Sequence, residues 1–407
     1  MLKKVGLFHI LPFVLACFIF YVTYLLFISK LIDNNIQVIK IEPKLIIGEQ
    51  TKLSGRYGRL IDGDSLELNF VASIKNKKQL TLLGSSEFSE KPVVSYNYMP
   101  NEFGYQMMGL GHAHHQSLSI LIELLATHQE NKASKVVFFI SPGWFDTHGT
   151  NSEAFVEFAR PNFLNRIANN HNIKLKYKIH IGKYINLRYN EFDGLSNSMN
   201  YFRNLYLNTQ KNKVSLNSVE LFIKEHFSGS KSKPIFQKID YEPELSYLQH
   251  KTYQQNFDTV AKALQNEFLS KITNNKIYVN DDYYSQYLVD DNGEERFVVL
   301  DEPEITNNLE YQDFKLLVDY ISERKMEASF IIIPYNPYYY RNTEIYLPLI
   351  DSLTTLLDNK NLPYKNMYVS DTLQYEPGIL KDVMHFGNYG WMKVNKYIDS
   401  LYYGNNH

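Results

Sequence analysis

Short, nearly unbroken apolar runs in this chain alternate with longer segments whose apolar residues recur at helical spacing. Leu80-Thr81-Leu82-Leu83, Lys135-Val136-Val137-Phe138-Phe139-Ile140 and Ala328-Ser329-Phe330-Ile331-Ile332-Ile333 read as buried strands, with Val93-Val94-Ser95-Tyr96 as a further strand. Residues 116–128 carry Leu118, Leu121, Ile122, Leu124 and Leu125 on one helical face. Helices are also predicted over 311–325, over 345–360 and after His385. No hairpin turn signal joins the strands. The pattern predicts an α/β fold, a three-layer α/β/α sandwich around a mostly parallel sheet. Residues 151–300 are polar and rich in Asn, Lys and Tyr, with patchy helical periodicity, and predict a mainly helical insertion. In parallel sheets, sites form at the carboxyl ends of the strands. Ser86, Trp144 and Asn336 all fall there.

The first 32 residues change the compartment. Residues 5–29 are almost wholly apolar, and as a helix of ~1.5 Å per residue they exceed a ~30 Å hydrocarbon core. Lys3 and Lys4 precede them, which puts the N-terminus in the cytoplasm and the rest outside the cell membrane. A cleaved signal peptide is the rival reading, but its apolar core is usually shorter, and no small-x-small site precedes Lys30-Leu31-Ile32-Asp33. The expected organisation is a single-pass transmembrane signal anchor at 1–32, a stalk at 33–78 and an extracytoplasmic catalytic domain at 79–407. Cys17 is the only cysteine and lies inside the span, so the external part has no disulfides and relies on its core. The net charge of −2 gives no basic field. The lysine runs at Lys174, Lys176, Lys178 and Lys183 and at Lys224, Lys231 and Lys233 read as solvated helix faces, so a nucleic-acid partner is not expected.

The most informative chemistry is Asp382-Val383-Met384-His385. That spacing lets the Asp accept from one imidazole nitrogen and leaves the other free as a base. Alone, Asp382 would read as a cap of the last helix. A nucleophile is available at Gly84-Ser85-Ser86-Glu87, directly after an apolar run, where a turn lifts Ser86 from a strand end. Ser85 should point elsewhere, and Glu87 should favour the start of the next helix through its dipole. A literal Gly63-Asp64-Ser65-Leu66 is a decoy, because no buried strand precedes it and Ser65 opens an alternating pattern. A late Asp-x-x-His with a serine at a strand-to-helix turn resembles SGNH-type esterases and acyltransferases. Backbone N–H groups of Ser86 and Gly111 are the candidate oxyanion donors, the latter in Gly109-Leu110-Gly111-His112, read as a glycine loop ahead of a helix. Such hydrolases usually add an Asn after a later strand, where this chain has Ser141-Pro142-Gly143-Trp144. His112-Ala113-His114-His115 has no Cys, Asp or Glu partner at ligand spacing and reads as loop and helix-start polarity, so neither metal nor other cofactor is expected. Pro334-Tyr335-Asn336-Pro337-Tyr338-Tyr339-Tyr340 offers a rim for a polymer or ordinary loop packing.

Taken together, these pieces resemble the DltD family. The matching residues are Gly84-Ser85-Ser86-Glu87, Gly109 to Gly111, Ile140-Ser141-Pro142-x-Trp144-Phe145 with Gly149, Pro334-x-Asn336, and Asp382-x-x-His385-x-Gly387-x-x-Gly390-Trp391. The resemblance covers nearly the whole chain, in order. It implies a membrane-anchored, extracytoplasmic acyltransferase of teichoic acid D-alanylation that works beside a membrane-bound O-acyltransferase and the other D-alanylation proteins. Ser86 would carry D-alanine as an ester to hydroxyls of lipoteichoic acid or a similar anionic envelope polymer, with His385 and Asp382 activating it. Trp144, Asn336 and Trp391 are the expected substrate contacts. The chain departs from the family at Gly143, where Gln is more usual, and at His112-Ala113-His114, where a Gly-Gly-Ser-type run is usual. The alternatives are an envelope polysaccharide O-acetyltransferase or esterase with the same triad, and a non-catalytic scaffold that recruits a carrier protein.

Overall fold

A computed structural model of the chain describes residues 36–40, 70, 74–88, 93–103, 105–111, 113–145, 148–210, 236–240 and 256–404. The predicted anchor, most of the predicted stalk and the Gly63-Asp64-Ser65-Leu66 match lie outside the described residues. Among the described residues, no helix is long and apolar enough to cross a membrane. The chain divides into two units. One, Met1–Pro43 with Leu216–Glu244, is described through strand Ile36–Lys40, which pairs in parallel with Phe236–Asp240. The other, Lys44–Ser215 with Leu245–His407, contains every candidate site residue.

In this second unit, β1 (Leu80–Gly84), β2 (Met107–Gly111), β3 (Lys135–Ile140), β4 (Glu327–Ile332) and β5 (Tyr364–Asn366) form a five-stranded sheet. Every neighbouring pair is parallel, and the order is β2-β1-β3-β4-β5. Leu83, Val136, Phe138, Ile140, Phe330 and Ile332 enter one apolar layer, and Leu80, Leu82, Val137, Phe139 and Ile331 enter the other. Both faces are dry, which is why β1, β3 and β4 read as continuous apolar runs instead of alternating ones.

Helices cover both faces. The first layer takes α2 (Ser117–Ala126), α8 (Leu309–Arg324) and α9 (Leu347–Asn359), and the second takes α1 (Ser95–Phe103), α7 (Phe257–Ser270) and α10 (Asn388–Tyr402). Between β3 and α7, the chain adds α3 (Ser152–Phe158), α4 (Pro161–Asn169), and the α5 (Leu175–Leu187) and α6 (Asn197–Gln210) pair; α3 and α4 pack on α2. The ends of α8 obey local rules: Asn308 accepts the Tyr311 N–H at its start (2.8 Å), and Lys325 closes it in a left-handed conformation (φ 51°).

Two sequence expectations fail next to β1. Val93-Val94-Ser95-Tyr96 is not a strand, because Ser95 and Tyr96 open α1. Gly109 to Gly111 is not a loop, because it completes β2 in register with β1, with Leu82 opposite Gly109 and Gly84 opposite Gly111. A short apolar run is ambiguous between strand and helix, and glycine obscures a strand. The reason for the glycine is tertiary: a methyl group on Gly109 would lie 2.3 Å from the Tyr96 ring. The three-residue, polar β5 carried no sequence signal.

With β2 and β3 on opposite sides of β1, the strand order reverses between β1 and β3. In open α/β sheets, ligands bind at such a switch point, outside the carboxyl ends of the strands. Gly84 to Glu87 leaves β1 at this point, Ser141 to Trp144 leaves β3, and Pro334 to Asn336 follows β4. Trp391 at the start of α10 is fully buried. Its ring centroid lies 5.4 Å from Phe139 and from Phe386 and 6.1 Å from Phe88. Truncating so large a buried side chain removes transfer energy and leaves a cavity. Trp391→Ala is expected to lower the unfolding free energy by roughly 3–5 kcal/mol, read from the shift in the guanidinium midpoint.

Candidate functional site

The last loop before α10 is a tight turn. Leu380 and Phe386 face each other in an antiparallel bridge, and the Lys381 N–H donates to the His385 carbonyl at 2.9 Å. Inside the turn, Asp382 Oδ1 accepts the backbone N–H groups of Met384 (3.0 Å) and His385 (2.8 Å). The same carboxylate lies 3.0 and 3.1 Å from His385 Nδ1. An ionised carboxylate only accepts, so Nδ1 carries the proton and Nε2 presents its lone pair. Nε2 is 2.9 Å from Ser86 Oγ, across 299 positions of sequence. Asp382 does not cap α10, whose N-cap is Gly387. Burial pushes the Asp382 carboxyl up, but the hydrogen bond and charge of His385, with the two N–H donors, hold it below the ordinary carboxylate value. Ser86 Oγ, His385 and Asp382 therefore form a continuous hydrogen-bonded chain with the geometry that activates a serine hydroxyl.

The turn bearing Ser86 is supported from below by groups that sequence reasoning did not assign. Among the described residues, no helix begins at Glu87 or Phe88. Glu87 is buried, and its Oε2 accepts the N–H of Ser85. Burial raises the Glu87 carboxyl above its usual value, only partly offset by backbone N–H groups of Glu87 and Ser85 and by His385 and His115. His115 is likewise buried, with Nδ1 2.9 Å from the Gly84 carbonyl and Nε2 2.9 Å from Glu123 Oε2 on α2. Burial alone would lower its imidazolium, but the charge and hydrogen bond of Glu123, the Gly84 carbonyl and the charge of Glu87 hold it above the ordinary value. Of the histidine cluster, then, His115 belongs to the nucleophile turn, His114 is exposed in a left-handed conformation (φ 63°), and His112 lies outside the described residues. A hint of His115 was present in the spacing to Glu123 along α2, but nothing in the sequence marked Gly84 as its other partner.

The remaining expected residues divide. Gly111 reaches the site: a methyl group on it would lie 2.7 Å from the Ser85 carbonyl and 2.4 Å from the Phe88 ring, so glycine is what lets β2 lie against the turn. At position 143, a side chain would meet the Tyr335 hydroxyl at 2.7 Å. Trp144 follows β3 in a 3-10 turn and is 5% exposed. Asn336 and Trp391 are both fully buried. Asn336 is hydrogen-bonded to the His385 turn and its surroundings. Its backbone N–H donates to Val383 O (3.1 Å), its Nδ2 to Ile277 O (2.8 Å), and its Oδ1 accepts from Tyr338 N (2.9 Å). Beside it, Asn280 N–H donates to Lys381 O at 2.9 Å. A short piece of the 151–300 region thus touches the turn directly, which its polar composition did not reveal. The tyrosine run is mostly packing: Tyr335 is buried against Tyr340 and Tyr346, while Tyr338 and Tyr339 are half-buried. Tyr283 also faces the turn, its hydroxyl pushed up to about 12 by burial and then by the Asp382 charge.

These shifts have opposite signs in a stability curve. Glu87 binds its proton more tightly in the folded state, so stability falls as pH rises from the ordinary glutamate value through the raised one. Asp382 binds its proton less tightly, so its contribution is present above the unfolded carboxylate value and is lost as pH falls through the depressed one. In Tm–pH profiles, Glu87→Gln is expected to flatten the decline above the ordinary glutamate value, and Asp382→Asn to flatten the acid limb. A Glu87→Gln profile parallel to wild type would contradict the first expectation.

The DltD protein family model matches residues 65–403 of this chain. Protein DltD of Bacillus subtilis (strain 168) is 23% identical over 354 residues, covering 81% of this chain and 83% of its own length. Protein DltD of Staphylococcus aureus (strain NCTC 8325 / PS 47) is 24% identical over 346 residues, covering 80% and 81% respectively. With a match that takes in both strands and helices of the sheet domain and all of Ser86, Asp382 and His385, the chain belongs to the DltD protein family.

Proposed function

We propose that this protein is an SGNH-type serine acyltransferase of teichoic acid D-alanylation. It passes D-alanine through a Ser86 ester to hydroxyls of lipoteichoic acid or a similar anionic envelope polymer. The observation that carries this reading is the 2.9 Å approach of His385 Nε2 to Ser86 Oγ, with Asp382 on the far ring nitrogen. His385 takes the hydroxyl proton as Ser86 Oγ attacks the acyl carbonyl of the donor, and a tetrahedral oxyanion forms. The oxyanion collapses as His385 returns that proton to the leaving group, and D-alanyl-Ser86 remains. An acceptor hydroxyl then gives its proton to His385 and attacks the ester, and His385 returns the proton to Ser86 Oγ as the new ester departs. Asp382 holds the ring tautomer and stabilises the imidazolium at each step. The backbone N–H groups of Ser86 and Gly111 are the proposed oxyanion donors.

Apolar residues 5–29 preceded by Lys3 and Lys4 support a cell-membrane anchor with this chemistry outside. That position would place Ser86 beside a membrane-bound O-acyltransferase and the anionic polymer. Transfer to polymer is the reading that an anchor favours, because the acceptor is itself held at the envelope.

Ser86→Ala is expected to abolish ester-linked D-alanine released from whole cells by mild base, at unchanged protein level, with chemistry falling by several orders of magnitude. Ser65→Ala should leave it at the wild-type amount. Normal D-alanine in the Ser86→Ala strain would refute the catalytic role. Loss of acetate in place of D-alanine would move the enzyme to the O-acetyltransferase class.

A further inference from the structure

The carbonyl that His115 binds and the N–H that Glu87 binds belong to one peptide group, the planar amide between Gly84 and Ser85. We propose that His115, seated by Glu123, and Glu87 are positioning residues that clamp this peptide from both ends and so fix the approach of Ser86 to His385. The inference rests on the reading of Ser86 as the nucleophile.

The clamp stands where the sheet can no longer do the work. Pairing of β1 with β3 ends at Leu83 opposite Phe138, and Gly84 keeps register only with Gly111 on the β2 side. Past that point, the amide plane could rotate about the bonds flanking it, carrying the Ser86 N–H and Oγ with it. Instead, Nδ1–H of His115 holds the oxygen, and the Glu87 carboxyl holds the N–H. The proton inventory makes the donor permanent. The Gly84 carbonyl only accepts, so Nδ1 must be protonated. The proton between Nε2 and Glu123 can reside on either partner, as imidazolium with carboxylate or as imidazole with carboxylic acid, and Nδ1–H survives in both. The groups facing His115 from the elements around it are Glu123 of α2, Glu87 of the turn and the uncharged Phe158 ring of α3 at 4.5 Å.

Energetics argue against a purely structural purpose. His115, Glu87 and Glu123 are 2, 5 and 4% exposed. Ionisable groups at that depth carry a desolvation penalty, and apolar side chains of like volume would stabilise a core as well or better. What the polar set adds is orientation of one amide next to the reacting oxygen.

The full-length protein carrying His115→Phe, which keeps the ring and loses the donor, tests this against His115→Asn, whose side-chain N–H can still reach the Gly84 carbonyl. Two quantities are measured under conditions where each variant is folded. They are the saturating rate of Ser86 modification by a fluorophosphonate probe and the amide hydrogen exchange of Ser85. His115→Phe is expected to slow the saturating rate ~10²-fold with unchanged half-saturation, and to speed Ser85 exchange at least ~10-fold. His115→Asn should recover most of both. If His115→Phe does not fold, Glu87→Met releases the other end of the same amide and should raise Ser85 exchange alike. Wild-type exchange and rate in a folded variant lacking either clamp group would overturn the proposal. Faster Ser85 exchange in a protein whose Ser86 never labels, wild type included, would uphold the clamp and refute the nucleophile.

Discussion

The packing of Phe88, Phe139, Phe386 and Trp391 against one another is what makes a site out of two distant segments. Phe88 lies just past Ser86, Phe386 just past His385, Phe139 in β3 and Trp391 in the first turn of α10. Phe88 and Phe139 meet edge-on at 5.2 Å, and Phe139 and Phe386 at 6.3 Å. Closing a loop of this length carries an entropic cost that the Ser86–His385 hydrogen bond alone does not offset. Buried aromatic area, with its edge-to-face contacts, supplies the needed stabilisation and also a direction, because rings pack in few orientations. Gly390 belongs to the same device. A methyl group there would lie 2.1 Å from the Ile379 carbonyl, so only glycine admits the incoming strand of the His385 turn against the helix.

On this base stand two imidazole–carboxylate pairs of different kinds. His385 has one nitrogen committed to Asp382 and the other aimed at a half-buried hydroxyl, so it can exchange a proton with something that moves. His115 has both nitrogens committed to fixed groups in the interior, so it can only hold. In the proposed mechanism, chemistry and support are thus divided between two histidines that meet the same four-residue turn. His115 links the Gly84 carbonyl at the start of the turn to the Glu123 carboxyl on α2. The buried set is therefore coupled, and a change at one member will be felt at the others.

Much of the frame was legible in sequence, for a clear reason. β1, β3 and β4 are buried on both faces, α2 is buried all round, and α8, α9 and α10 each bury one stripe, so burial leaves its mark in the residues. β2 was misread because its two glycines answer to Tyr96 and to the Ser86 turn, which are distant in its local pattern. β5 was missed because a short edge strand buries little. Ser86, Asp382 and His385, which meet at hydrogen-bond distance, could be singled out because such chemistry restricts residue type and spacing. For Asn336, the position at a strand end was legible in sequence, but its hydrogen bonds to Val383, Ile277 and Tyr338 were not. His115 was set aside because a histidine beside other histidines looks alike whether it faces solvent or a buried carbonyl.

The sequence by itself determined the alternation of strands and helices, the serine turn, the Asp-x-x-His spacing and the family, since each depends on short-range pattern or on residue identity in order. Only the tertiary structure decided which serine meets the histidine at hydrogen-bond distance, that Trp391 and Asn336 are interior supports, and that Glu87 and His115 share one peptide group. Those facts depend on the direction of side chains brought together across hundreds of positions. Direction is set by packing, and packing is a property of the assembled core that no local window of residues contains.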